Sequence, residues 1–374
     1  MKISTTHMSR LGTIAVLGAL GLVATGCSGA VSDDTKVLTV SVPRSEGHSL
    51  SMVMKGWAEE IETATDNGIT FEFNYDSALC PEGDAVECIG SGRADSGQSS
   101  PAWEPAKFPL TTVGEVGFAS ADVAAVTKAV NALADESEEI QSEYANQNQK
   151  LLFFTALNPL IVATSRQVDT LADLRNLSLR TPGVWPKIAE PLGVAPVAMP
   201  QTEQYESIQR GVIDGTVTTL DGALEGSLFE VAPYYGAIGE YVGSNIIASF
   251  TMNADVYENL SEDERAAVDK ASDTVVAAWY SDYLAPENER VCEVLRDEGA
   301  TVSTIGTDEE AESWVAAARK ATEDNWKAGA AGAIGDPDAM IARFRELVDQ
   351  NVGDAGGPVN GVQTCIGGPG TPRP

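Results

Sequence analysis

From residue 37 onward the chain switches between two hydrophobic periods. Val37–Val42 (VLTVSV) alternates every second residue, as a half-buried strand does. After the loop Pro43-Arg-Ser-Glu-Gly47, the residues Leu50, Val53, Met54, Trp57 and Ile61 fall on one helical face, which Asn67-Gly68 ends. Ile69–Tyr75 (ITFEFNY) alternates again, so the opening unit reads as a strand–helix–strand crossover. The pattern recurs. Leu151–Thr164 is apolar and β-prone, broken at Asn158-Pro159, and Leu177–Leu179 and Val194–Met199 read as short strands. A helix is expected from Thr202 to Gly211 and a buried strand at Ile246–Met252. Ser261 to Glu264 spells S-x-x-E, a capping box opening a helix through Val268, Ala271, Val275 and Trp279. Continued to Tyr283, that helix exceeds about five turns, enough to brace two lobes. Past Pro286 the pattern predicts a helix, a short strand at Thr301–Ile305 and two helices ending near Val348. Strands alternating with helices at this length predict an α/β fold of two lobes, with ligands bound in a cleft at the carboxyl ends of strands.

The first thirty residues break this pattern. Lys2 and Arg10 precede an apolar run from Leu11 to Val23, followed by Ala24-Thr25-Gly26 and Cys27. The run is too short for a bilayer span and reads as a secretory signal peptide, residues 1–26. Small residues abutting a cysteine resemble a bacterial lipobox, although Ala24 stands where leucine is usual. The expected product carries a lipid on Cys27 and a polar tether through residue 36, on the outer face of the cell membrane. An ordinary signal peptide that happens to precede a cysteine is the alternative.

Charge and residue scarcity exclude several function classes. The chain carries 24 Lys and Arg against 55 Asp and Glu, a formal net charge of −31, and loss of Lys2 and Arg10 leaves it more acidic still. Phosphate binding needs a basic footprint, so nucleic acid is not an expected partner. Only two histidines occur, and His7 lies in the signal, leaving His48 as the sole imidazole. With no G-x-S-x-G elbow and no His/Cys cluster, the sequence offers neither a hydrolase triad nor a zinc or copper site. No enzyme, cofactor or metal is expected. Beyond Cys27 four cysteines remain, and an even number in an oxidising compartment reads as two disulfides. Three connectivities are open. Locality favours Cys80 with Cys88 across a turn-rich stretch, which leaves Cys292 with Cys365. The second bridge would pin a tail, residues 351–374, too rich in Gly and Pro to order itself.

Arg180 stands out on chemical grounds. It falls just past a predicted strand in an apolar stretch and precedes Thr181-Pro182. Recognition of a buried carboxylate favours guanidinium, a planar two-pronged donor that keeps its charge. The bland alternative is a structural arginine paired with Asp173 or another acid.

Three segments, taken in order, carry a family resemblance. They are Asp169–Pro182 (DTLADLRNLSLRTP), Pro196–Pro200 (PVAMP) followed by Tyr205–Gly215 (YESIQRGVIDG), and Met252-Asn253 followed by Leu260–Glu264 (LSEDE). Together they resemble the solute-receptor subunit of TRAP transporters, the DctP-type extracytoplasmic receptors, over about residues 37–345. The resemblance implies a two-lobed periplasmic-binding-protein-like fold with crossing strands and a long helix bracing both lobes. It implies a first lobe of residues 37–157 plus 246–285 and a second of 158–245 plus 286–350. It also implies capture of a small organic acid in the cleft and delivery to a TRAP-type membrane permease. A ligand-sensing lipoprotein acting through a signalling partner is the alternative. Arg180 occupies the position of the family's carboxylate clamp. Sialic-acid-binding relatives have a second arginine where this chain has Asn158-Pro159-Leu160-Ile161, and an asparagine where it has Thr216-Val-Thr-Thr. Both departures speak against sialic acid. Asp221 alone offers an anionic oxygen in the region where keto-acid-binding members hold a metal.

The expected ligand site therefore joins Arg180 with hydrogen bonds from Thr218, Asn158 and the Gln98–Ser100 loop, including Ser99. Trp103 and Trp185 are expected to wall the pocket, with Glu46 and His48 contributing from the loop after the first strand. Ordinary core packing is the alternative for both tryptophans, and a helix-turn role for His48.

Overall fold

The alternating segments become strands in two separate sheets of a computed structural model, which describes residues 35–199, 201–353 and 358–367. In chain order the strands are β1 (Lys36–Ser41), β2 (Ile69–Asn74), β3 (Ser96–Ser99), β4 (Gln149–Ala156), β5 (Ile161–Thr164) and β6 (Ser178–Arg180). They continue with β7 (Ala195–Val197), β8 (Gly215–Thr218), β9 (Tyr234–Ala237), β10 (Ile247–Asn253) and β11 (Thr301–Thr304). The first sheet runs β2-β1-β3-β10-β4 and the second β11-β9-β5-β8-β6-β7. β1 lies parallel to β2, with Val40 opposite Phe73, and the helix Ser49–Ala64 makes the expected crossover. Trp57, Met54 and Ile61 on that helix are fully buried in the first core, so its apolar face closes one side of the sheet.

Two chain segments cross between the sheets: residues 157–160 from β4 to β5, and residues 238–246 from β9 back to β10. They run side by side. Leu157 N–H donates to Ile246 O at 2.9 Å, and Ser244 Oγ donates to Leu157 O at 2.5 Å. Asn158-Pro159 thus ends one strand where the backbone must change sheets. A third connection is helical. The capping box of Ser261 and Glu264 opens helix Glu262–Ala278, whose Val268, Ala271 and Val275 pack in the first core. Trp279–Leu284 forms a wider π-helical turn, and helix Ala285–Asp297 then buries Val291 and Leu295 in the second lobe. Pro286 does not break this rod. It sits in the first turn after the π-helical segment, where its missing N–H is tolerated.

Two further helices depart from the expected grouping of residues 286–350. Helix Asp308–Ala330 buries Trp314 and Ala318 in the second lobe but Trp326 and Ala330 in the first core. Helix Pro337–Asn351 packs Met340, Ile341, Phe344 and Leu347 wholly into the first core. An apolar stripe at helical spacing says that a face is buried, not against which sheet.

Both disulfides are Cys80–Cys88 and Cys292–Cys365. Within the stretch expected to be a Gly- and Pro-rich tail, residues Gly361–Gly367 form a helix. Cys365 ties it to helix Ala285–Asp297, and Gly361 N–H donates to Asn158 Oδ1 at 2.8 Å. Gly and Pro lack intrinsic order, but a crosslink and a buried hydrogen bond supply it. The signal peptide, Cys27 and the tether to Asp34 lie outside the described residues.

Candidate functional site

A cavity of about 310 Å³ opens between the two lobes, lined by both and by the crossing segments. From the second lobe come residues 180–185, at the carboxyl end of β6, and Thr218 to Gly222, at the carboxyl end of β8, in part. From the first lobe come Arg44, His48, Leu50, Glu82, Trp103 and Glu115. Leu157, Leu160, Asn245 and Ile246 line it from the crossing segments.

Arg180 is the last residue of β6 rather than the first of the following loop. Its strand pairs with β8 and β7, which carries the side chain to the cavity wall at 8% exposure. Nε donates to Met199 O at 3.3 Å, and no acid lies within ion-pair distance among the described residues. Asp173, the alternative partner, instead closes a capping box with Thr170. Burial pulls the Arg180 guanidinium below its ordinary pKa, and the charge of Glu82 works the other way. Two neighbouring donors are also unmatched. Thr181 Oγ1 and Trp185 Nε1 are buried without hydrogen-bond partners among the described residues. Guanidinium, hydroxyl and indole N–H within six residues of chain make a surface that can only gain by meeting an anion.

The first-lobe wall is arranged differently. Arg44 Nη2 donates to Glu82 Oε1 at 2.6 Å, and Nη1 donates to Pro43 O. Burial opposes the charge on Arg44, but Glu82, with Glu225 and Asp221 beyond it, outweighs burial and holds the guanidinium above its ordinary pKa. Glu82 itself sits on a 3-10 turn inside the loop that Cys80–Cys88 closes, so the staple positions a cavity residue. His48 N-caps helix Ser49–Ala64, because Leu50 N–H donates to its Nδ1 at 3.0 Å. With Nδ1 accepting, the neutral ring carries its proton on Nε2, which faces Asp221 Oδ2 across the cavity at 3.2 Å. Burial alone would raise the Asp221 carboxyl, yet the hydrogen bond from His48 holds it below the usual range. Thr219 Oγ1 caps the short helix Leu220–Glu225 and so presents Asp221 in its first turn.

The expected residues divide accordingly. Arg180, Thr218, Trp103, Trp185 and His48 line the cavity, Trp185 almost wholly buried and Trp103 at its rim with 58% exposure. Four others do not. Asn158 spends its amide on structure, donating to Asn288 Oδ1 at 2.7 Å and accepting from Gly361 N–H. Gln98 Nε2 donates to Ser99 O, and Ser99 Oγ pairs with Ser249 Oγ at 2.9 Å between β3 and β10. Glu46 is solvent-exposed, with Lys55 Nζ at 3.7 Å. Asn158 and Glu46 are loop residues whose side chains meet other partners, and Gln98 and Ser99 lie within β3, where their polar atoms bond inside the first sheet, so proximity in sequence to a cleft loop did not bring these side chains into it. Glu82, Glu115, Asn245 and Thr181 were not expected in the site. An acid among 55 in the chain carries no sequence signal of its own.

Comparison with known proteins agrees with this architecture. The model of "Bacterial extracellular solute-binding protein, family 7" (DctP) matches residues 41–328. A solute-binding protein of Roseobacter denitrificans is 26% identical over 264 residues, covering 69% of this chain and 78% of its own. The ectoine-binding periplasmic protein TeaA of Halomonas elongata is 28% identical over 148 residues, 37% of this chain and 42% of TeaA. Among solved structures, a TRAP periplasmic solute-binding protein from Desulfovibrio salexigens superposes with a TM-score of 0.75 at 22% identity, covering 86% of this chain and 98% of that one. One from Rhodoferax ferrireducens, holding copurified benzoate, gives 0.74 at 19% identity, with 85% and 98% covered. A two-lobed fold closing on a cavity, and a family model spanning most of the chain, lead to one conclusion: this protein belongs to the bacterial extracellular solute-binding protein family 7, the DctP-type receptors of TRAP transport.

Proposed function

We propose that the protein captures a small organic carboxylate between its lobes and delivers it to a TRAP-type membrane permease, with the protein tethered by a lipid on Cys27. The single observation that carries the reading is Arg180: a buried guanidinium at a strand's carboxyl end, in the cavity, without an acidic partner among the described residues. A bound carboxylate would accept hydrogen bonds from both of its Nη groups, with Thr181 Oγ1 and Trp185 Nε1 as further donors. Thr218 would add a hydroxyl, Trp103 would cover the ligand body at the rim, and His48 would link the lobes through Asp221. Asn158, Gln98, Ser99 and Glu46 have no part in this site.

Related receptors support the ligand class. Those from Rhodoferax ferrireducens, Bordetella bronchiseptica and Bordetella pertussis hold benzoate, mandelate and pyroglutamic acid, all small carboxylic acids. Native mass spectrometry of protein purified without refolding should find a small acid retained in the cavity. Calorimetry with that acid should show Arg180→Ala losing at least about a hundredfold in affinity, because truncation leaves a buried carboxylate unpaired at a cost of about 3 kcal/mol or more. Unchanged affinity would overturn the clamp.

A further inference from the structure

Two polar side chains of the cavity wall stand apart from the donors around Arg180. Glu115 ends the 3-10 turn Thr111–Glu115 at 8% exposure, and Asn245 lies in the crossing segment before β10 at 2%. Glu115 Oε1 and both amide atoms of Asn245 have no hydrogen-bond partner among the described residues, and both residues line the cavity. A buried polar atom left unpaired costs about 1–3 kcal/mol, and folded proteins rarely leave one so. The two groups belong to one stretch of wall. Ile247, two residues after Asn245, packs its side chain against Gly114, the neighbour of Glu115.

The chemistry of the missing partner follows from the charges around it. The other ionisable residues lining the cavity are Arg44, His48, Glu82, Arg180, Asp221 and Glu225. Arg44 is held by Glu82 and His48 by Asp221, and no cation lies within ion-pair distance of Glu115 among the described residues. Burial pushes the Glu115 carboxyl up to about 8, so it keeps its proton at neutral pH. A protonated acid offers one O–H donor beside its acceptor oxygens, and a neutral amide offers two N–H donors beside its carbonyl acceptor. Their complement is a ligand group that is uncharged and both donates and accepts.

We infer that Glu115 and Asn245 form a second polar subsite, which receives a hydroxyl group of the ligand and makes the protein a receptor for hydroxycarboxylates. This rests on the carboxylate reading of the same cavity. The test is calorimetric titration of the full chain with matched probes: 3-hydroxybenzoate against benzoate, mandelate against phenylacetate, and lactate against propionate. The hydroxylated member of at least one pair should bind about tenfold tighter, the worth of one well-made hydrogen bond. Glu115→Leu and Asn245→Leu should each bring that ratio close to unity while the parent acid still binds, which also certifies the fold. Glu115→Gln, an uncharged donor and acceptor of the same shape, should keep the preference. A ratio that survives both leucine variants overturns the subsite. So does a wild-type preference for alanine over lactate that vanishes in Glu115→Gln, since that would assign the acid to a cation. Carboxylates binding through Arg180 with indifference to the hydroxyl overturns this inference alone. Failure of every probe to bind overturns the carboxylate reading with it.

Discussion

Arg44 and Arg180 face the same cavity from opposite lobes, yet they do different work. Arg44 follows β1 and is neutralised by Glu82, an acid delivered by a disulfide-closed loop. Arg180 ends β6 and, among the described residues, has only a backbone carbonyl on its Nε. A guanidinium with its acid in place has little to gain from a ligand, whereas one buried without an acid improves its energy by acquiring one. Glu115 is the mirror case, a buried acid with no cation within ion-pair distance among the described residues. The cavity therefore separates charges that are already answered from groups that await an answer, and only the second kind can select a solute.

That contrast breaks most sharply when the two arginines are truncated side by side. Arg180→Ala should cost the copurified acid at least about a hundredfold, and Arg44→Ala less than about threefold, because an ion pair already satisfied contributes little to a third party. Equal losses in calorimetry would dissolve the distinction.

Next in size is the pH response of Glu115. Its carboxyl titrates at about 8 in the folded protein and near 4.5 when unfolded. Between those values the folded state holds a proton that the unfolded chain has released, so this residue's contribution to stability falls as pH rises through the window and is flat above it. Glu115→Gln has no such proton. Relative to wild type it should be unchanged at low pH and stabilised by a few kcal/mol above about pH 8, read as a shift in urea midpoint. A variant that gains nothing on the alkaline side would show the acid to be ionised and already answered.

Glu82→Gln tests the pairing from the other side. It should cost about 1 kcal/mol of stability and leave Arg44 without its anion. Dicarboxylates should then gain a few-fold over monocarboxylates, since the cavity would offer two unmatched guanidinium groups instead of one. A loss of similar size is expected for Asp221→Asn, which weakens the contact with His48 that spans the lobes. A severalfold loss of affinity, about 1 kcal/mol, together with a larger radius of gyration by small-angle scattering, would mark that contact as part of closure.

Much of the scaffold was legible in the chain. Leu50, Val53, Met54, Trp57 and Ile61 announce their helix by spacing, and Ser261 with Glu264 announces the start of the bracing rod. Arg180 was legible too, through its position after a short apolar strand. Asn158 was misleading: it follows β4, looks like a cleft residue, and instead holds the tail helix through Gly361. Glu115 and Asn245 had no signal at all. Neither has a distinctive neighbour in sequence, and each acquires meaning only from what fails to reach it in space.

Periodicity, capping and the order of polar and apolar runs are local properties, carried by residues within a few turns of one another, so the chain alone determined its α/β elements and its acidity and favoured one of three cysteine pairings. Which arginine is answered and which is open depends on partners far along the chain, such as Glu82 for Arg44 and Asp221 for His48. Electrostatic and hydrogen-bond satisfaction are sums over neighbours in three dimensions. For that reason only the packing of two lobes around one cavity decided which of its charged groups are left without a partner among the described residues.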